Sequence, residues 1–406
     1  MALTVLAPAV AAASAPDIYF GDGGTSAFYT WNQPMAGAGR MLRHEAVGDG
    51  FHAENAALAE RILYSSTDGR FGRGVVEASG LLYLPKGKMP RGGWPLLVWG
   101  HGTFGIADVC APSWSKPNER DGTFIDAWLR QGYAVVAPDY QGLGTRGVHP
   151  YLQRKPEGYS TLDAARAALA AHPKQIANRV ILAGQSQGSG AVLNATYLAK
   201  GYAPSLNILG TVATALVWRA PGTSNPAEEI TGSDSARYMI MRMMSGGLPD
   251  SAPAPDALLT DKGALLRETA SAHCSRDLVP VARDNAITST NAVNIPAEKV
   301  MTMLSSLDMP PGRLTIPIFI GTGRADEAIA PQSQYRTVRE MCRRGDRIIW
   351  HTYSGVGHSA TSISALRDSI PFANALLKGA KPSSTCASIA DPGARQAPAR
   401  DIPFNN

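Results

Sequence analysis

A strand-like run, Arg179-Val-Ile-Leu-Ala183, leads into Gly184-Gln-Ser-Gln-Gly188, so that Ser186 stands between two glycines where a strand would turn into a helix. A serine hydroxyl is a weak nucleophile near neutral pH, and a sharp, strained strand-to-helix turn exposes its Oγ to both a base and a substrate. Gly184 and Gly188 leave room for that turn, and Ala191–Ala199 reads as the helix after it. A dinucleotide-binding loop is the rival reading, but Ser186 occupies the place where G-x-G-x-x-G needs its middle glycine.

A nucleophilic serine needs a base, an acid to orient that base, and donors for the developing oxyanion. In the chain order serine, acid, histidine, the base must follow Ser186, and of the eight histidines (44, 52, 101, 149, 172, 273, 351 and 358) three do. His273 adjoins Cys274 in a stretch without a strand pattern, and His351 lies inside the apparent strand Arg347–Tyr353. His358, in the glycine-rich loop Ser354-Gly-Val-Gly-His-Ser359, is the expected base; the bland alternative is a loop histidine in water. Thr315-Ile-Pro-Ile-Phe-Ile-Gly-Thr-Gly-Arg-Ala-Asp326 reads as a parallel-type strand entering a polar turn, with Pro331 opening a helix beyond it. Asp326 is therefore the expected acid. Its neighbour Glu327 competes but would point elsewhere from the same turn, and the interval from Asp326 to His358 fits one helix and one strand, returning both groups to one edge.

The N–H of Gln187, directly after the serine, is the first expected oxyanion donor. Trp94–Trp99 is strand-like and enters Gly100-His-Gly-Thr-Phe-Gly105, where Thr103 is the expected second donor and Gly102 the alternative. His101, Gly102, Tyr140 and Met243 are candidate substrate contacts, His101 having loop-shaping as its other reading. Asp139, beside Tyr140, could contact substrate or position the oxyanion loop, and a structural hydrogen bond is the favoured reading.

These pieces in order, Gly100-His-Gly-Thr103, Cys110-Ala-Pro-Ser113, Pro138-Asp-Tyr-Gln-Gly-Leu-Gly144, His149-Pro-Tyr151, Gly184-Gln-Ser-Gln-Gly188 and the Asp326 and His358 loops, resemble the secretory lipase family of α/β-hydrolases. The resemblance spans about residues 60 to 378 and implies a carboxylic-ester hydrolase working through Ser186, Asp326 and His358, with a helical lid over the site. Ser189 departs from the pattern, standing where many relatives have another glycine. A peptidase or an acyltransferase would use the same triad, and a non-catalytic ligand-binding homologue is a reading from a different class. A small-molecule or lipid ester is the expected substrate, with transient contact to a lipid interface and with no metal or organic cofactor.

The elements that must position these groups follow from periodicity. Arg61–Ser65 and Gly74–Leu84 read as antiparallel leading strands around an Asp68-Gly69 turn. Strands near 95–100, 133–138, 179–184, 208–215, 315–320 and 347–353 then alternate with helices, the clearest being Thr161–Ala171 behind a capping box of Ser160 and Asp163. That alternation predicts an α/β fold, a mostly parallel sheet with helices on both faces. From 220 to 312 the rhythm breaks into helical pieces, the expected inserted lid, so the catalytic domain is assigned to 21–219 and 313–380 and a loosely ordered tail to 381–406. Seven of the twelve methionines (239, 241, 243, 244, 301, 303 and 309) fall in the insertion, where they either mould around an acyl chain or pack the insertion's own core.

The net charge of +5 is small for 406 residues and spread along the chain, which gives no pattern for nucleic-acid binding. Leu3–Ala15 is alanine-rich and ends like a secretory signal, although no Lys or Arg precedes it and Pro16 follows, so residues 1–20 read as a leader or signal remnant. No other stretch has the apolar length to span a bilayer. Four cysteines allow three pairings and lack the short spacing of a zinc site. Disulfides suit a secreted or periplasmic enzyme, and the preferred pairing joins Cys110 to Cys274 and Cys342 to Cys386, with free thiols as the alternative.

Overall fold

A computed structural model describes residues 23–405 except 49, 52, 73, 224, 231–233, 305 and 306, so the leader read at 1–20 lies outside the described residues. Strands β1 Met41–Ala46, β2 Ala56–Thr67, β3 Val75–Pro85, β4 Trp94–Gly100, β5 Ala134–Gln141, β6 Ile176–Gln185, β7 Ile208–Thr214, β8 Ile318–Gly323 and β9 Ile348–Tyr353 make one sheet. Their spatial order is β1-β2-β3-β5-β4-β6-β7-β8-β9. The pairings from β1 through β3 to β5 are antiparallel, and those from β5 through β4 to β9 are parallel.

Alternation along the central strands sends side chains to two opposite cores. Leu97, Trp99, Val135 and Ile181 pack with Phe124 and Trp128 of the helix Glu119–Arg130 and with Phe372 of Leu366–Leu377. Leu96, Val98, Val136 and Leu182 pack on the other face against Leu162 and Ala165 of Arg154–Ala171 and Val192 of Gln187–Tyr202. A sheet covered on both faces explains why these strands read as continuous apolar runs.

Three local expectations change. The helix expected at 161–171 begins at Arg154, because Pro156 is tolerated in a first turn. Ser160 and Asp163 are therefore not a capping box. The Ser160 hydroxyl donates back to the Pro156 carbonyl at 2.7 Å, and Asp163 accepts from Ser66 at 2.9 Å and Tyr202 at 2.6 Å. The leading edge gains β1, and the strand expected from 315 starts at Ile318, just past Pro317.

Between β7 and β8 the chain forms helices Ser235–Arg242, Asp261–Ala272, Leu278–Asp284 and Ala297–Met303 around their own apolar cluster, which includes Met239, Ile240, Leu266 and Val300. Cys274 in this insertion is bonded to Cys110 in the segment after β4, and Ser275 N–H donates to the Phe104 carbonyl at 2.6 Å. Cys342 is bonded to Cys386. Beyond Lys381 the chain is held by more than this bridge. Thr385 N–H donates to the Ile348 carbonyl at 2.8 Å and its hydroxyl accepts from Trp350 N–H at 2.9 Å, so the segment lines the outer edge of β9. Further on, Ala399 N–H and the Asn405 side chain both donate to the Gly355 carbonyl at 2.8 Å, and Gln396 Oε1 accepts from Gly355 N–H.

Cys386→Ser is expected to cost about 2–4 kcal/mol in denaturant unfolding, chiefly through the freed unfolded chain. It should also speed amide exchange at Trp350 and Gly355. Unchanged exchange at both would show that the tail's own hydrogen bonds hold it in place.

Candidate active site

Parallel strands in register bring their carboxyl ends to one rim. Gly100 of β4 pairs with Gly184 of β6, Gln185 with Thr214 of β7, Thr214 with Gly321 of β8, and Gly323 with Tyr353 of β9. Ser186 follows β6 with φ 55° and ψ −121°, a left-handed backbone that a residue with a Cβ rarely adopts. The turn is that tight because a Cβ on Gly184 would collide with the Gly188 carbonyl, and one on Gly188 with the Gly100 carbonyl. Ser189, the odd residue of the motif, fits without strain: its hydroxyl donates to the Ser186 carbonyl at 2.7 Å and accepts from Val217 N–H at 3.1 Å.

Ser186 Oγ lies 2.9 Å from His358 Nε2, and His358 Nδ1 lies 2.9 and 3.1 Å from the two oxygens of Asp326. Asp326 is completely buried, so its charge is balanced by donors: Ala328 N–H at 3.0 Å, Ile329 N–H at 2.8 Å and Gln334 Nε2 at 3.0 Å. Glu327 does not meet the imidazole but stays beside it, its carboxylate accepting from His358 backbone N–H at 3.1 Å. Burial alone would lower the His358 pKa; the charge and hydrogen bond of Asp326, with Glu327 behind it, outweigh burial and raise it above the ordinary value. A buried imidazole held between a hydroxyl and a carboxylate can take the hydroxyl proton and remain stable as a cation.

Gln187 opens the helix after Ser186, so its N–H is among the donors a helix leaves without an intrahelical partner. Thr103, partly exposed, lies in the loop after β4, and that loop abuts the Ser186 turn where Gly188 meets Gly100 and His101. The expected substrate contacts need correction. Met243 and Tyr140 are 0% exposed, Met243 inside the insertion's apolar cluster and Tyr140 donating to the His101 carbonyl at 3.1 Å. His101 is wedged between Phe104 and Tyr140, and Gly102 is buried against the Gln185 side chain, so both shape the loop. Asp139 is structural, its carboxylate accepting from Ser79 and from the hydroxyl and N–H of Ser113.

Sequence reading missed several polar supports. Gln334 holds Asp326 while accepting from Thr322 Oγ1 and Leu216 N–H. Tyr238, on the insertion helix Ser235–Arg242, has its hydroxyl pushed up by burial, with Asp234, Glu327 and Asp326 adding to the rise and Arg237 opposing it. Glu157 is buried in the helix Arg154–Ala171, accepts from Gln187 Nε2 and Leu152 N–H at 2.9 Å each, and is pushed by burial to about 8. A glutamate and a glutamine among the apolar positions of two core-packing helices are the signal that marks them in the sequence.

A model of the secretory lipase family matches residues 117–384. A secreted triacylglycerol lipase of Malassezia furfur is 25% identical over 66% of this chain and 56% of its own length. A second from the same organism is matched over 51% of its length, so the chain spans about half the length of these curated relatives. Lipase A of Moesziomyces aphidis is 27% identical over 72% of this chain and 69% of its own. Among solved structures, Candida antarctica lipase A superposes with a TM-score of 0.70 at 22% identity, over 89% of this chain and 88% of that one. A rice cell wall degrading esterase of Xanthomonas oryzae superposes with a TM-score of 0.64 at 17% identity, over 85% and 100% of the two chains. At these identities the structural likeness speaks for the fold.

Because burial holds Glu157 neutral in the fold to about pH 8, while the unfolded chain ionises it near 4.5, its contribution to stability is full below about pH 4.5 and is lost as pH rises to about 8. Glu157→Gln, which cannot ionise, should therefore gain stability relative to the parent across that window. Denaturant melts at pH 5 and pH 8 that show the same difference between the two proteins would contradict this.

Proposed function

Since this chain belongs to the secretory lipase family, its matched region covering residues 117–384, we propose that it is a serine carboxylic-ester hydrolase with Ser186 as nucleophile, His358 as base and Asp326 as orienting acid. The observation that carries the reading is the unbroken relay from Ser186 Oγ through His358 to the buried Asp326. Oγ attacks the ester carbonyl as His358 Nε2 takes its proton; the N–H groups of Gln187 and Thr103 receive the oxyanion. His358 then gives the proton to the leaving alcohol, and water repeats the sequence on the acyl-enzyme to release the acid.

Residues 220–312 act as a cap over this site, a role supported by their separate apolar cluster, by the Cys110–Cys274 bond and by the pull of Asp326 and Glu327 on Tyr238. Export is supported by two disulfides and by relatives named as secreted lipases. A lipid ester is the substrate class that those names favour. No helix among the described residues is long and apolar enough to cross a membrane.

Ser186→Ala should lower ester turnover by roughly 10⁴-fold, and a purified variant of near-parental activity would remove the assignment. Faster cleavage of peptide p-nitroanilides than of p-nitrophenyl esters would make the enzyme a peptidase instead. His358 must be neutral to act, so kcat/KM should rise with pH through a midpoint above 6.5, the ordinary histidine value. Asp326→Asn should cut turnover severely and move that midpoint to lower pH; a midpoint that stays put would show that another group titrates.

A further inference from the structure

His149-Pro-Tyr151 and Glu157 take no part in the proton relay, yet between them they bond the side chains of Gln187 and Thr103, the two residues proposed to donate to the oxyanion. The Gln187 side chain, on the residue after the nucleophile, points into the core. Its Nε2 lies 3.1 Å from His149 Nε2 and 2.9 Å from Glu157 Oε1, so the amide uses both its hydrogens. His149 can accept there because its Nδ1 faces the Gln141 carbonyl at 2.9 Å and must donate. The ring is then neutral, which agrees with burial pulling its pKa to about 4.

Two residues on, the Tyr151 hydroxyl lies 2.7 Å from Thr103 Oγ1. Leu152, with φ 60°, donates its N–H at 2.9 Å to the same Glu157 oxygen that receives Gln187. A single four-residue segment thus grips the first oxyanion residue at His149 and the second at Tyr151, and one buried carboxyl staples that segment to Gln187. His149, Tyr151, Glu157 and Gln187 are all buried, between 1% and 3% exposed.

We infer that residues 149–152, stapled by Glu157, form a positioning frame that sets the spacing between the Gln187 and Thr103 N–H groups, and so tunes transition-state stabilisation without touching substrate. The inference rests on the ester-hydrolase reading. A frame of this kind matters only when charge develops on the carbonyl oxygen, because donors are worth most at the position the oxyanion takes up. Substrate binding in the ground state should barely sense it.

Tyr151→Phe and Gln187→Met each remove one grip while keeping volume and burial. Each is expected to lower kcat about 10-fold, with KM within about two-fold, a fraction of the loss from deleting a donor outright. A trifluoromethyl ketone supplies the second readout. Ser186 Oγ adds to its carbonyl carbon, His358 takes the proton, and the ketone oxygen becomes an anion in the donor pair. Its affinity should fall by the same factor as kcat/KM in each variant, after normalising to active sites by covalent titration. Glu157→Gln keeps an oxygen able to accept both N–H groups and should retain most of the parental kcat. Folded variants with parental kcat and parental ketone affinity would overturn the frame. So would variants whose kcat falls while ketone affinity stays, because that pattern is general structural damage. If Ser186→Ala itself hydrolyses esters at the parental rate, the underlying reading fails rather than the frame.

Discussion

The left-handed backbone at Ser186 is the constraint on which the rest of the structure depends. A residue with a side chain held there costs on the order of 1–3 kcal/mol, and it persists only where its surroundings leave no alternative. Here the surroundings are backbone. Gly184, Gly188 and Gly100 bring β6, the following helix and the end of β4 into direct contact, while Ser186 N–H is tied to the Thr214 carbonyl of β7 at 3.0 Å. The contact that strains the serine also fixes the loop carrying Thr103 beside it. The proposed nucleophile and the proposed oxyanion loop are in this sense one feature, set by how closely two parallel strand ends can approach.

Around that turn, the charge of each buried imidazole is set by what it faces. His149 and His358 are both buried imidazoles, and they end on opposite sides of the ordinary histidine pKa. His149 faces a carbonyl and an amide, so burial dominates and keeps it neutral. His358 faces a carboxylate, which overrides burial. The first suits a rigid hydrogen-bond acceptor, the second the proton transfer proposed for it. The loop that carries His358 is itself braced: Thr361 Oγ1 donates to the Gly357 carbonyl at 2.7 Å, and the terminal segment bonds Gly355 from two directions.

Much of this was legible in the sequence because it depends on short-range pattern. The G-x-S-x-G turn, the strand-then-loop contexts of Asp326 and His358, and the alternation of strands and helices are local signals, and the parallel sheet with two covered faces follows from them. Long-range packing was not legible. Met243 and Tyr140 have the chemistry of substrate contacts, but whether a side chain lines a cleft or fills a core is decided by what packs on it from elsewhere. The helix starting at Arg154 reads short in the sequence because Ser160 and Asp163 carry capping side chains, whose hydrogen bonds here go instead to Pro156, Ser66 and Tyr202. A Pro- and Ala-rich tail has no periodicity to read, so its backbone bonds to β9 and Gly355 could come only from the fold. Gln334 and Glu157 sat in plain view as polar residues on core-facing helices, without a pattern to say which group each would serve.

The measurement that bears most directly on the central claim is covalent labelling of the native protein with a fluorophosphonate, read by intact mass and by peptide mapping. The proposed relay requires a single adduct, located on Ser186 and formed far faster than on any other serine. An unchanged mass, or an adduct that maps to a different residue, would contradict it.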